Sequence, residues 1–218
     1  VTPCRLADTR NPASPLTAGV PRNFTIQGVC GIPAGAASAS LNLAVVSPTD
    51  GGWLTAWQAG TPIPPVSTLS FIPGTLALAN GVRPRLAANT PDVAVQYLTG
   101  TAGATAHAVL DTTGYFKSDA PLKYRPISPC RLLDTRFADQ GGPIMAAGET
   151  RAIQVQGNCG IPAGAKAAML NVVAFAPSAQ GYLNLYPSGT PSPLTSTLNY
   201  HPVQGNTSNG TIVPLSTQ

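Results

Sequence analysis

Three charged positions occur twice in this chain with the same spacing. Arg5, Asp8 and Arg10 stand in PCRLADTR at Pro3 to Arg10, and Arg131, Asp134 and Arg136 stand in PCRLLDTR at Pro129 to Arg136. A carboxylate flanked by two guanidiniums has two uses. It can line a polar site, or it can lock backbone segments together through bidentate ion pairs. On a regular strand Asp8 and Arg10 share one face and Arg5 takes the other. The expected role is a structural ion pair near the first strand, with Asp111 in the last strand of the same repeat as the further partner of an arginine.

Other chemistry-bearing residues do not recur. His107 and His201 occupy unrelated places in the two copies, so neither is expected to serve a metal or a catalytic triad, and no cofactor is expected. Asp8, Asp50 and Asp92 are acids of the type a glycosidase needs, but an acid pair does not survive from one copy to the other. The chain has no G-x-S-x-G, no H-E-x-x-H, no P-loop and no EF-hand loop. A hydrolase of glycosides or peptides is therefore the weakest expectation. No enzyme is expected.

One aromatic pattern does recur. Trp53, Thr55 and Trp57 alternate with Leu54 and Ala56, as Tyr182, Asn184 and Tyr186 alternate with Leu183 and Leu185. If the leucines face the core, each repeat presents two aromatics about 13 Å apart at ~3.3 Å per residue. Trp53, Trp57, Tyr182 and Tyr186 are thus a candidate surface for sugar rings or for a protein neighbour. Packing beneath a loop or against the adjoining domain is the alternative.

These residues sit in a whole-domain duplication. QGVCGIPAGA at Gln27 to Ala36 returns as QGNCGIPAGA at Gln156 to Ala165, an offset of 129 residues. Leu41-Asn42 returns as Leu170-Asn171, Ser67-Thr68-Leu69 as Ser196-Thr197-Leu198, and Asn80-Gly81 as Asn209-Gly210. A period this long is a domain, not a solenoid turn. The expected organisation is a first repeat at 1–118, a linker at 119–128 and a second repeat at 129–218. The second repeat contains nothing that matches Val93 to Phe116. Lacking those two closing strands, it is expected to need either a chain that continues past Gln218 or strands from a neighbouring subunit by β-augmentation.

The four cysteines fall two per repeat at matching places, and no closely spaced pair suggests zinc. Disulfides Cys4–Cys30 and Cys130–Cys159 follow as the expectation, and with them an extracellular or cell-surface location. The missing N-terminal methionine and apolar leader suit a mature exported chain.

Composition bounds the fold. Only 9% of the 218 residues are charged, 43% are hydrophobic, and 22 Gly and 23 Pro punctuate the chain, so it should fold, and without long helices. Strands are expected near Cys4 to Thr9, Asn23 to Gln27, Ala39 to Val46, Trp53 to Gln58, Thr68 to Phe71, Val82 to Ala87, Val93 to Leu98 and Ala106 to Thr112. The fold class is all-β: two tandem antiparallel β-sandwich, jelly-roll-like domains related by internal duplication. The net charge of +4 is thinly spread, which argues against nucleic acid, and no apolar run is long enough for a membrane span.

The combination of PCRLLDTR, CGIP before a small-residue stretch and LN, ST-L-N-F/Y and a closing D-x-x-GYF resembles a β-rich repeat module of secreted and cell-surface bacterial proteins. The resemblance covers nearly all of the first repeat and about three-quarters of the second. It implies location and architecture rather than chemistry. The expected function is a non-enzymatic structural protein that self-associates into a homopolymer, such as a surface filament, sheath or adhesive assembly. A carbohydrate-binding module that takes polysaccharide on its aromatic faces is the alternative.

Overall fold

The computed structural model describes residues 1–125, 127–128 and 130–216. Pro126 of the expected linker, Pro129 at the expected start of the second repeat, and Thr217 and Gln218 at the chain's end lie outside the described residues. The protein is all-β, with antiparallel sheets and no α-helix among the described residues.

The first repeat contributes nine strands: β1 (Cys4–Asp8), β2 (Leu16–Thr17), β3 (Arg22–Phe24), β4 (Ser38–Val46), β5 (Gly52–Gln58), β6 (Leu69–Phe71), β7 (Ala77–Val82), β8 (Val93–Leu98) and β9 (Thr105–Phe116). They form two sheets, one in the order β1-β9-β4-β7 with β2 also on β9, the other β3-β8-β5-β6. The long strands follow from period-2 alternation of β-branched and small apolar residues. Leu43, Val45, Leu54, Val93, Val95, Tyr97 and Leu110 are fully buried in one core. Each such side chain contributes about 1.5–3 kcal/mol by leaving water. Tyr97 is buried whole because its hydroxyl donates to Asp50 O at 2.8 Å, and its ring lies 5.7 Å from that of Phe71.

The order of strands assigns special weight to the closing pair. β9 lies between β1 and β4, and β8 lies between β3 and β5, so each is interior to its sheet. Val93–Leu98 and Thr105–Phe116 are therefore one interior strand of each layer.

Two expected strands are corrected. The strand placed at Val82 to Ala87 lies instead at Ala77–Val82. Asn80-Gly81 has turn chemistry, but here the Asn80 amide donates to Thr68 O at 2.8 Å and keeps the segment extended. Pro84, without an N–H, cannot sit inside a ladder. The strand placed at Asn23 to Gln27 stops at Phe24. The Asp92 carboxylate takes the N–H groups of Ile26 and Gln27, which removes both from pairing.

The second repeat contributes β10 (Ala167–Ala174), β11 (Gly181–Leu183), β12 (Leu198–Tyr200) and β13 (Thr207–Pro214), paired as β10-β13 and β11-β12. These pairings repeat β4-β7 and β5-β6 at the 129-residue offset. Segments 130–134 and 151–153, which match β1 and β3, form no strand. β1 and β3 are held by β9 and β8, and a strand without a ladder partner cannot satisfy its backbone groups.

The chain divides into two compact units whose limits differ from those of the repeats. The first holds Val1–Ala120, Met169–Leu185 and Ser192–Ile212; the second holds Pro121–Ala168, Tyr186–Pro191 and Val213–Gln218. Both disulfides are present, Cys4–Cys30 with Cα atoms 5.9 Å apart in the first unit and Cys130–Cys159 at 5.7 Å in the second. The CGIP turns have one shape. Cys30 and Cys159 share φ 54°, and Gly28 N donates to Ile32 O as Gly157 N donates to Ile161 O, each at 2.8 Å. Left-handed backbone at a residue with a Cβ is uncommon, and here the disulfide pins it. No helix among the described residues is long and apolar enough to cross a membrane.

Candidate functional site

The charged cluster of the first unit is built on a β-bulge. The β1-β9 register runs Cys4↔Thr112, Arg5↔Asp111, then Ala7↔Leu110, so one residue of β1 is extra. The expectation that Arg5 faces away from Asp8 and Arg10 is corrected by this bulge, which re-aims side chains along the strand. Arg5 grips Asp111 with two bonds, Nε to Oδ1 at 2.9 Å and Nη2 to Oδ2 at 3.3 Å, and reaches Asp8 Oδ2 through Nη1 at 3.1 Å. Arg10 adds Nε to Asp8 Oδ1 at 2.8 Å and Nη2 to Oδ2 at 2.6 Å, while its backbone N–H donates to Oδ1 at 3.0 Å. The Arg10 side chain, aided by its backbone N–H and by Arg5, pulls the Asp8 carboxyl down to about 2. Asp111 raises Arg5, and Asp8 raises Arg10. A carboxylate so saturated with donors stays ionised at neutral pH. It clamps the turn after β1.

In the second unit the same motif closes on itself. Arg136 donates from Nε to Asp134 Oδ1 at 2.9 Å and from Nη2 to Oδ2 at 2.6 Å, and Arg131 reaches Oδ2 at 2.6 Å. The Arg136 side chain and N–H hold Asp134 far below the usual carboxylate range. The Arg136 guanidinium also lies over the Phe137 ring, 5.3 Å from its centroid. Arg5 meets two carboxylates, whereas Arg131, among the described residues, is paired with Asp134 alone.

Asp50, Asp92 and the two histidines bond to backbone, amide and hydroxyl groups rather than to one another. Asp92 is fully buried and accepts from Ile26 N at 2.5 Å, Gln27 N at 2.8 Å and the Gln27 amide at 2.6 Å. Asp50 accepts from Thr101 Oγ1 at 2.5 Å and Gly51 N at 2.7 Å, and Thr101 is the main cause of its lowered pKa. His107 Nδ1 lies 2.9 Å from Thr9 O, and His201 Nδ1 accepts from Val203 N at 3.2 Å. Among the described residues no three His, Cys, Asp or Glu side chains group as a metal site.

Of the two readings of the aromatic face in the first repeat, Trp53 follows the exposed one and Trp57 the packed one. Trp53 is exposed, but Trp57 is 9% exposed, packed on Ala59 and Ala94 with its indole N–H donating to Thr61 O at 2.9 Å. The segment between β5 and β6 folds back over this face. Thr55, between the two tryptophans, is buried and donates to Val66 O at 2.9 Å, and Ala56 N donates to Thr68 Oγ1 at 3.0 Å. The second repeat uses the same strap: the Asn184 amide donates to Ser192 Oγ at 3.0 Å and Pro193 O at 3.2 Å, and Leu185 N donates to Thr197 Oγ1 at 2.9 Å. Tyr182 is exposed. Tyr186, in the second unit, is half-buried with its hydroxyl 3.5 Å from Thr150 Oγ1.

Residues not singled out as a site from the sequence make a buried polar contact between segments of the two repeats. Inside the first unit, Asn209 is 1% exposed; its amide donates to Asn42 Oδ1 at 2.7 Å and to Thr197 O, and its Oδ1 accepts from Gly81 N. Asn42 in turn donates to Ser196 O at 2.9 Å, and Gln204 Nε2 donates to Thr75 Oγ1 at 3.2 Å. A Cβ at Gly81 would strike the Gly210 carbonyl oxygen, so the approach requires glycine. Strand β12 lies against β7. The signal was the recurrence of Leu41-Asn42 and Asn80-Gly81, polar and flexible residues kept at strand positions in both repeats. An open cleft of about 530 Å³ runs beside this contact, lined by Ser67, Ser70, Thr75, Gln204, Asn206 and Ser208 among others, with hydroxyls and amides but no charged group. No family model matches this chain, and no curated protein or solved structure is a match to it.

Proposed function

We propose that this chain is a non-enzymatic structural protein of the cell exterior, a subunit that self-associates into a surface filament, sheath or adhesive assembly. The observation that carries the reading is the Asn42–Gly81–Asn209 contact, in which a segment of one repeat packs on a strand of the other through residues found in both. A module that carries a surface for its own kind can extend the contact between chains. Two further features support it. Two disulfides suit an oxidising compartment, and a charge fraction of 9% weakens the repulsion that keeps proteins apart. The Asp8 and Asp134 clusters serve as staples of each repeat.

The alternative is a carbohydrate-binding module, for which the exposed rings of Trp53 and Tyr182 speak. Sedimentation of the native secreted protein over a concentration series, with electron microscopy of the same sample, tests the first reading: fibres or growing oligomers are expected. A strictly monomeric protein at every concentration, retained on a polysaccharide column through Trp53, would replace it with the second.

A further inference from the structure

We infer that the cleft beside β6 and β7 is a binding site for an uncharged saccharide. The inference does not rest on the assembly reading, and every residue it uses belongs to the first unit. β6 ends one sheet of the first repeat and β7 ends the other, so the cleft opens at a flank of the sandwich, with segment 203–208 as its further wall. Its volume of about 530 Å³ falls within the ~300–1,000 Å³ usual for small-molecule sites. The walls are held from behind. The Asn80 amide donates to Thr68 O at 2.8 Å, Gln204 Nε2 to Thr75 Oγ1 at 3.2 Å, and Ala176 N to Asn206 Oδ1 at 2.9 Å. Polar groups fixed in this way lose little freedom when a ligand arrives.

The groups left exposed define the ligand. Because Asn206 Oδ1 is taken by Ala176, its amide N–H groups are what it can offer. The Ser70 hydroxyl donates to Ser67 Oγ at 3.3 Å, which leaves the Ser67 proton to give and the Ser70 lone pairs to receive. Ser208 adds a further hydroxyl. Among the described residues no charged side chain lines the cleft, so an ionic ligand would lose its hydration without a counter-charge. A neutral ligand whose groups both donate and accept is a polyol or a sugar, and one aromatic ring selects the sugar. Trp53, 40% exposed, stands directly opposite Ser70 in the β5-β6 register. Directly opposed side chains share a face with Cβ atoms about 4.5–5.5 Å apart, which sets the indole at the cleft's rim, where it can take the apolar face of a sugar ring. Trp57 is buried, so recognition falls to the cleft's polar groups and a single ring, not to a row of aromatics along β5.

Calorimetric titration of the full chain with cellohexaose, xylohexaose, laminarihexaose and N-acetylchitohexaose, and with hexagalacturonate as the charged control, tests the inference. Saturable binding of at least one neutral sugar is expected, with hexagalacturonate at least about tenfold weaker for want of a counter-charge. Asn206→Asp keeps the acceptor for Ala176 N and removes the donor, so it should weaken the neutral sugar at least about tenfold while thermal unfolding stays unchanged. Ser67→Ala, at an exposed position, should weaken binding too and decides the matter if Asn206→Asp disturbs the fold. Absence of saturable binding by every neutral sugar, equal or tighter binding of hexagalacturonate, or full affinity in folded Asn206→Asp and Ser67→Ala would each overturn the inference. A loss confined to Trp53→Ala would do so as well, by moving the sugar onto the open face of β5. Sedimentation of the sugar-free chain reports on assembly separately: a monomer that binds the sugar keeps the cleft and loses the filament, and an assembling chain indifferent to every sugar does the reverse.

Discussion

The two repeats carry the same pattern with opposite outcomes. In the first, β8 and β9 enter the middle of the two sheets, and the inward leucines of β4 and β5 vanish from solvent. In the second no described strand pairs with the matching edges, the segments matching β1 and β3 form no strand, and Leu170, Val172 and Leu183 are only half-buried. Local features are indifferent to this difference. The CGIP turn, the disulfide and the Arg-x-x-Asp-x-Arg clamp form in both, because none of them needs a partner from β8 or β9. The lesson is a contrast: the CGIP turn and the clamp close within a few residues, whereas β1 and β3 are strands because β9 and β8 arrive to pair with them.

The largest expected effect contrasts the equivalent aromatics. Trp57→Ala should cost about 3–5 kcal/mol in chemical denaturation, as for a large core side chain. Tyr186→Ala should cost less than about 1 kcal/mol, as for a partly solvated position. Equal losses at the two would erase the distinction between a closed and an open repeat.

Next in size is the buried amide that joins segments of the two repeats. Asn209→Ala strips partners from Asn42 Oδ1 and Gly81 N–H, a loss of about 1–3 kcal/mol for groups left unsatisfied. Limited proteolysis should then cut within Ser192–Ile212 before the strands of the first repeat. A variant as resistant as the unaltered protein would mean that this contact does not hold the segment.

The legible and illegible parts of the fold divide along the same line. The alternation in Ala39 to Val46, Trp53 to Gln58 and Val93 to Leu98 names the main strands, and the recurrence of Arg5, Asp8 and Arg10 singles out the clamp. The bulge that turns Arg5 toward Asp8 was not legible, since it is a matter of register against β9. Packing of Trp57 beneath a loop was one of two readings, and the sequence of β5 alone could not choose it, because the cover is the strap between β5 and β6. The strand expected at Val82 to Ala87 was displaced to Ala77–Val82 because Asn80 is held extended by its bond to Thr68 O, while Pro84 cannot donate to a ladder.

The smallest effect concerns acid. Asp8 titrates at about 2 in the folded chain, below the ~3.9 of an unfolded aspartate. The unfolded chain therefore binds this proton first, so the clamp's stabilisation is full above about pH 4 and fades as pH falls toward about 2. Thermal unfolding from pH 5 to pH 2 should show a shallower decline for Asp8→Asn than for the unaltered protein. Parallel curves would mean that Asp8 carries no such linkage.

Native-state hydrogen exchange on the full chain tests the central comparison most directly, by setting the amides of Leu41–Val45 against those of Leu170–Ala174. The account predicts that the first set exchanges only on global unfolding, while the second exchanges at least about a hundredfold faster through local opening at an unsupported edge. Equal protection of the two strands would contradict it, because β10 would then be as securely held as β4 without an interior strand beside it.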